Sequence, residues 1–498
     1  MPCPAPPSVV PLLLLLAAAL GAHAIKLGPK PTGPPGVIVR YRSAAAAAAA
    51  NGAGAVGTAA SGGPAPVPGT TDGQPILPRL NIWRLTVDDG TPAAVKAAEI
   101  ARRDDVLYAE VDVYVSIAVE HQQPSSGEPA GARTRRRLAA TRPAPKAAVM
   151  RRAAATLPRP RPPSLMRRRA TALRKPPPPK PPSAIAPNDD MYRNQWALPR
   201  IKAPNAWTKL TGNTQVLQCI VDTGVMWDHP DLAANLMRMP PEFRAANYDD
   251  NGHGTHVAGI MGAVGNNVHG ISGVAWKAKL LACKALDAGG WGLISKVVEC
   301  IDFCRSKGAR VINTSFVLTE FNLALRDAIG NGTAAGVFFA GAAGNTDTSN
   351  DVENNFPGGY KFPGNVAVAN TNSQNVLGEM SNWGRTTVQV AAPGTSILST
   401  YIYPNETTGQ YYEYLTGTSM AAPYVSGAAA MAIAASGGRV TNAEVAAALI
   451  ATSAPLPGLR GKVVSNGIID LDNLVKWAIA RGKQLAAKRT ALATPAAG

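Results

Sequence analysis

The sequence predicts an α/β fold, a mainly parallel sheet with helices on both faces, preceded by a small α+β module. Three observations predict it. From Asn188 onward, short apolar runs such as "VLQCIVD", "AKLLACKAL", "ARVINTSF", "GVFFAGAAGN" and "NVAVAN" alternate with helical stretches. Unbroken apolar strands belong to sheets covered on both faces, and their alternation with helices makes such a sheet parallel. Earlier, "GVIVRYR" (36 to 42), "LNIWRLTV" (80 to 87), "TPAAVKAAEIARR" (91 to 103) and "VLYAEVDVYVSI" (106 to 117) read as strand, strand, helix and strand. Finally, 498 residues, 46% of them hydrophobic, suffice for a large core and more than one domain.

The chain divides by composition. Residues 9 to 22, "VVPLLLLLAAALGA", with Ala22-His23-Ala24 behind them, read as a secretory signal peptide over 1–24. No other stretch approaches the roughly 20 apolar residues of a membrane helix, so no span is expected. The α+β module covers 25–120, with an Ala/Gly/Pro-rich insertion at about 43–76. Residues 121–187 form a linker rich in proline and basic residues, carrying sixteen Lys and Arg against one acid, Glu128, and nearly all of the net charge of +17. Its composition cannot bury enough apolar surface to fold. It reads as an extended spacer, with contact to anionic polymers as the alternative. The parallel-sheet domain covers 188–483, and an Ala-rich tail covers 484–498.

Cys219 and Cys283 lie in apolar strand-like runs, and Cys300 and Cys304 fall four apart on a predicted helix. Their spacing matches no zinc pattern, so they read as buried thiols. A secreted context permits disulfides, and no pairing follows from the sequence. Asn331-Gly332-Thr333 and Asn405-Glu406-Thr407 are glycosylation sequons on predicted loops. Asn313-Thr314-Ser315, inside a predicted strand, is expected to stay unused.

In parallel α/β folds the chemistry lies at the carboxyl ends of the strands. Asp222 closes "QCIVD", and a buried carboxylate there needs a partner. His253 starts a helix in "NGHGTHVAGIMGAV", and Ser419 starts another in "GTSMAAPYVSG". A carboxylate that orients an imidazole, an imidazole that deprotonates a hydroxyl, and dipoles that hold the resulting anion together make acyl transfer. Each residue alone has a plainer reading. Asp222 reads also as a cap, His253 and His256 as core histidines or an i, i+3 metal pair, and Ser419 as a helix cap ahead of Pro423.

The ordered motifs "VDTGVMWDHPDL", "NGHGTHVAG", "AGAAGN" and "GTSMAAPYVSG" resemble the subtilase family of serine endopeptidases, over about Asn188 to Lys483. The resemblance implies Asp222, His253 and Ser419 as a catalytic triad and Asn345 as an oxyanion donor. It implies Gly289, Gly290, Ser315, Ala342 and Gly344 as substrate-binding residues. It also implies a structural calcium ion held by Asp189, Asp231, Gly265, Asn267, His269 and Ile271, through "DHPDL" and "GNNVHGI"; oxygen donors of this kind suit calcium. The leading module resembles the propeptide that chaperones and inhibits these proteases, with an alanine run and loop where its first helix belongs. Processing is expected after one of residues 116 to 120 or just before Asn188. One departure stands out: Phe316, Val317 and Leu318 follow Ser315 where the family usually carries glycines, and bulk there puts the usual primary pocket, with its borrowed preference for large apolar side chains, in doubt. "DAGGWG" (287 to 292) keeps the glycines of the opposite substrate-binding edge.

These observations predict a secreted, monomeric, calcium-stabilised serine endopeptidase made as a zymogen, acting on protein and peptide substrates. The rivals are a pseudoprotease that binds peptides without cutting them, and a wall- or polyanion-anchored protein acting through the linker.

Overall fold

The computed structural model describes residues 27–31, 36–42, 67–117, 184–405 and 409–493. The predicted signal peptide, most of the alanine-rich insertion and nearly all of the linker lie outside the described residues. The described residues fall in one compact unit, drawn from the chain before Gln122 and from Ser183 onward.

The leading module is a four-stranded antiparallel sheet in the order β2-β3-β1-β4. Its strands are β1 (Val37–Tyr41), β2 (Thr70–Leu77), β3 (Ile82–Val87) and β4 (Val106–Val111), and α1 (Ala93–Ile100) packs on one face. Strand β2 corrects the sequence reading, which assigned most of it to the insertion. Its "TTDGQPIL" has Gly and Pro inside, and only pairing with β3 makes it a strand. Alternation along β1 explains the two faces. Val37, Val39 and Tyr41 cluster with Ala97 and Ile100 of α1, whereas Ile38 joins Ile76, Leu77 and Ile82 against the core of the larger domain.

The predicted strand over 106–117 is broken. After β4 the chain passes Asp112 and Val113 and continues as β5 (Tyr114–Ile117), which leaves the small sheet. It enters a second sheet between β8 (Trp291–Leu293) and β10 (Phe316–Val317), antiparallel to both.

The larger domain has the predicted fold class. Its eight-stranded sheet runs β16-β17-β13-β12-β11-β9-β6-β7. The strands are β6 (Gly212–Asp222), β7 (Lys277–Lys284), β9 (Val311–Thr314), β11 (Phe338–Ala342), β12 (Asn365–Thr371), β13 (Val390–Pro393), β16 (Ala454–Pro455) and β17 (Gly467–Ile468). All neighbours pair in parallel except β16 with β17. The helices are α2 (His253–Gly262), α3 (Ile294–Ser306), α4 (Leu323–Ala334), α5 (Thr418–Ala435), α6 (Asn442–Thr452) and α7 (Leu471–Ala493). Helix α5, buried over nearly its whole length, packs on α2, α7 and five strands. Its Ala- and Gly-rich sequence permits that close approach, and a helix apolar all round must be buried. A hairpin of β14 (Ile397–Thr400) and β15 (Tyr412–Leu415) stands beside α2.

Three further readings change. The four described cysteines form disulfides, Cys219–Cys304 and Cys283–Cys300, which tie α3 to β6 and β7. Neighbouring strands bring the partners within reach, and the thiols expected from spacing are absent. Helix α7 runs on to Ala493, through most of the predicted tail. Asn331 lies within α4, half-buried, not on a loop. Asn313 is fully buried, in keeping with a sequon that stays unused.

Candidate active site

Asp222 is the last residue of β6 and is fully buried. One of its oxygens accepts the N–H of Thr223 at 2.8 Å and lies 2.7 Å from Nδ1 of His253. His253 opens α2, also fully buried. With Nδ1 committed to the carboxylate, Nε2 has no hydrogen-bond partner among the described residues. An imidazole so placed holds one tautomer and keeps its other nitrogen for a proton. The residue before it, Gly252, has φ of 102°, and a Cβ there would lie 2.4 Å from the Tyr401 ring, so only glycine fits this turn.

Asp249, absent from the sequence-based site, holds the turn together. Its two carboxylate oxygens accept five hydrogen bonds of 2.7–3.0 Å, from the Thr223 and Thr255 hydroxyls and the N–H groups of Asn251, Gly252 and Thr255. The Thr223 hydroxyl in turn accepts the Gly254 N–H at 2.9 Å. One buried carboxylate therefore links the end of β6 to the start of α2, and so Asp222 to His253. His256, one turn further on, faces the carbonyls of Ile397 and Glu413 at 3.0 Å. Burial pushes its pKa down to about 3, which fits the plainer reading of a neutral core histidine.

Ser419 is the second residue of α5, after Gly417 with φ of 153°. Its hydroxyl donates to the carbonyl of Ser315 at 3.1 Å, and the Ser315 hydroxyl donates to the carbonyl of Ser419 at 2.9 Å. Pro423 lies inside α5, not at its first turn as the sequence suggested. Asn345 follows β11, and its carbonyl oxygen accepts the Thr418 N–H at 2.9 Å, which fixes its amide beside the start of α5. The neighbouring Gly344 N–H donates to the Thr418 hydroxyl at 3.1 Å.

Strand β5 runs into this cluster. Ile117 stands opposite Phe316, and its N–H donates to the Gly290 carbonyl at 3.0 Å. Outside the same rim, Gly28 N–H donates to the Gly289 carbonyl at 2.8 Å, and the Trp291 indole donates to the Gly28 carbonyl at 2.7 Å. Gly289, Gly290 and Ser315 therefore all engage the leading module or Ser419. Ala342, fully buried, and Gly344 border Asn345.

Elsewhere, Asp189 and Asp231 are buried together beside the loop 265–271. Asp231 accepts the Asn267 amide at 2.8 Å and the Ile271 N–H at 2.8 Å, and Asp189 accepts the Asn266 N–H at 2.7 Å. Desolvation raises both carboxyls, Asp231 to about 6. Within the loop Asn266, Val268 and Gly270 take left-handed φ of 62°, 69° and 59°, a costly conformation for a β-branched valine. Two buried carboxylates short of positive charge, an amide and a strained loop rich in carbonyls fit a hard cation such as calcium. The six predicted ligands converge on this loop.

The fold and this gathering of Asp, His, Ser and Asn at strand ends and helix starts define an α/β serine peptidase. The family model described as the subtilase family matches residues 213–478, more than half of the chain. A "Thermophilic serine proteinase" of Bacillus sp. strain AK1 is 35% identical over 299 residues, 59% of this chain and 70% of that protein. Thermitase of Thermoactinomyces vulgaris is 37% identical over 263 residues, 52% of this chain and 89% of thermitase. The solved structure of a protease from Pseudoalteromonas arctica PAMC 21717 is 29% identical with a TM-score of 0.52, and the match covers 59% of this chain and 99% of that one. The chain belongs to the subtilase family and is a serine endopeptidase.

Proposed function

We propose that this endopeptidase works by Ser-His-Asp acyl transfer, with Ser419 as nucleophile, His253 as general base and then acid, and Asp222 as the group that holds the imidazole tautomer. The observation that carries the reading is the buried His253–Asp222 pair at 2.7 Å, with Nε2 kept for a proton. Ser419 attacks the peptide carbonyl while His253 takes its proton, and the amide of Asn345 and the Ser419 N–H at the helix start donate to the oxyanion. His253 returns the proton to the departing amine, and water then repeats the sequence on the acyl-enzyme. The base must be neutral to take that proton.

Secretion and synthesis as a zymogen belong to the same proposal. Residues 25–120 act as the inhibitory propeptide, with β5 occupying the cleft as a substrate strand would, by strand addition. This supports the earlier of the two expected processing regions, with a cut after Ala118, the residue that follows Ile117 in the sequence. Asp189, Asp231, Asn267 and the carbonyls of Gly265, His269 and Ile271 would hold calcium, which supplies positive charge to the buried carboxylates and a fixed loop. The linker serves as a spacer, with polyanion contact as its possible second use, and the mature enzyme is a monomer. The test is labelling of the matured protein by a fluorophosphonate. Wild type reacts and Ser419→Ala does not; equal labelling of both removes Ser419 from the mechanism.

A further inference from the structure

We propose that Val317 and Asn355 restrict the residue on the acyl side of the scissile bond to a small side chain, glycine, alanine or serine. The proposal rests on the reading of β5 as a strand docked in the substrate cleft. In that ladder Phe316 stands opposite Ile117, and Val317 opposite Ser116. Opposed residues share a face, and faces alternate along a strand. Phe316 and Ile117 are turned into the core, at 0% and 2% exposure, so Val317 and Ser116 occupy the other face.

The next residue of a bound chain falls opposite Ser315, whose carbonyl receives the Ser419 hydroxyl. That residue therefore carries the carbonyl under attack. By alternation its side chain shares the face of Val317, one diagonal step away, about 7–8 Å between backbones and less between side chains. A glycine at 317 would leave this flank open, and the isopropyl group of valine fills it.

The base of the same space is closed as well. Leu318 exchanges two backbone hydrogen bonds with Phe356, at 2.9 and 2.8 Å, which draws the segment 354–359 against the end of β10. Asn382 and Asn355, the latter 7% exposed, then lie behind Gly344, where an added Cβ would be 2.6 Å from Asn382 Nδ2 and 3.4 Å from Asn355 Cγ. Asn355 is anchored and not free to swing aside. Its amide donates to Asn350 Oδ1 at 3.3 Å, Asn382 donates to the same oxygen at 3.0 Å, and Asn350 donates to the Ala343 carbonyl at 2.8 Å. A phenyl ring entering here would have to displace a hydrogen-bonded amide network, whereas a methyl group would not. The chain's own sequence agrees, since alanine follows Ile117.

The test uses the full-length protein after maturation and two peptides, Val-Ser-Ile-Ala-Val-Glu and Val-Ser-Ile-Phe-Val-Glu, drawn from residues 115–120. Wild type is expected to favour the alanine peptide in kcat/KM by at least about tenfold, the scale on which a pocket discriminates by size. In Val317→Gly that ratio falls toward one or inverts, and in Val317→Ala it moves part of the way. Equal cleavage of both peptides by wild type, or an unchanged ratio in an active Val317→Gly or Val317→Ala variant, overturns the proposal. Cleavage of neither peptide together with no fluorophosphonate labelling overturns instead the reading of Ser419 as nucleophile, and this proposal with it.

Discussion

Pro423 lies one turn beyond Ser419 and has no N–H to give back to the Ser419 carbonyl. The hydroxyl of Ser315 donates there instead, while the Ser315 carbonyl receives the Ser419 hydroxyl. A residue that weakens a helix thus becomes the reason the turn carrying Ser419 is tied to Ser315, between β9 and β10. Asp249 has a comparable part on the other side of the site, as a positioning residue for His253. In Asp249→Asn a carboxamide can accept through only one atom, so at least two of the five donors lose their acceptor, at about 1–3 kcal/mol for each buried group left unpaired. The expected outcome is a lower Tm and a kcat reduced by about 10- to 100-fold. A variant that loses stability but keeps the wild-type kcat would show Asp249 to be structural only. The sequence made Asp222, His253, Ser419 and Asn345 legible because whole motifs surround them. Asp249 was not legible, because nothing in "NYDDNGHG" separates it from Asp250, which is exposed and pairs with Lys284.

At the scale of elements, the break between β4 and β5 explains how the leading module grips the peptidase domain. Asp112, at the break, is fully buried and accepts both the N–H and the hydroxyl of Ser295 at the start of α3, at 2.9 and 2.7 Å. Glu110 accepts the N–H groups of Leu323 and Ala324 at the start of α4, at 2.9 and 2.8 Å. Each carboxylate meets orphan donors at the positive end of a helix dipole, worth about 0.5–2 kcal/mol apiece. Arg40 with Asp327 and Arg79 with Asp302 add ion pairs at the same two helices. The double variant Glu110→Gln, Asp112→Asn is therefore expected to bind its peptidase domain at least about tenfold more weakly, read as faster release of the cleaved leading module and earlier onset of activity. Unchanged release would assign the grip to apolar packing of Ile38, Ile76 and Ile82 instead. An alternating run such as "VLYAEVDVYVSI" reads as one strand, since the break depends on two helices met 183 and 213 residues further along the chain. Pairing across 85 and 17 residues likewise hid the disulfides. Cys300 and Cys304 were placed on one helix correctly, but their partners become neighbours only when β6 and β7 pair.

Over the whole molecule, period and motif made the fold class legible, whereas the strand order was not. Strand β6 lies between β7 and β9, and β5 pairs with strands far along the chain; apolar runs report burial but carry no information on which run sits beside which. The proposed cation site depends on the same long-range assembly. Asp189 comes from the segment entering the domain, Asp231 from the turn after β6, and the remaining donors from the loop after α2. Without a cation, two desolvated carboxylates face one another, and binding one stabilises the folded state by about 3 kcal/mol when calcium stands a hundredfold above its Kd. Chelation of the matured protein is therefore expected to lower Tm by several degrees, and added calcium to restore it. Asp231→Asn removes one of the two facing carboxylates, so this variant should show a Tm insensitive to both treatments. Wild-type protein whose Tm is the same with chelator and with calcium would mean that hydrogen bonds from Asn266, Asn267 and Ile271 alone hold the loop in its left-handed course.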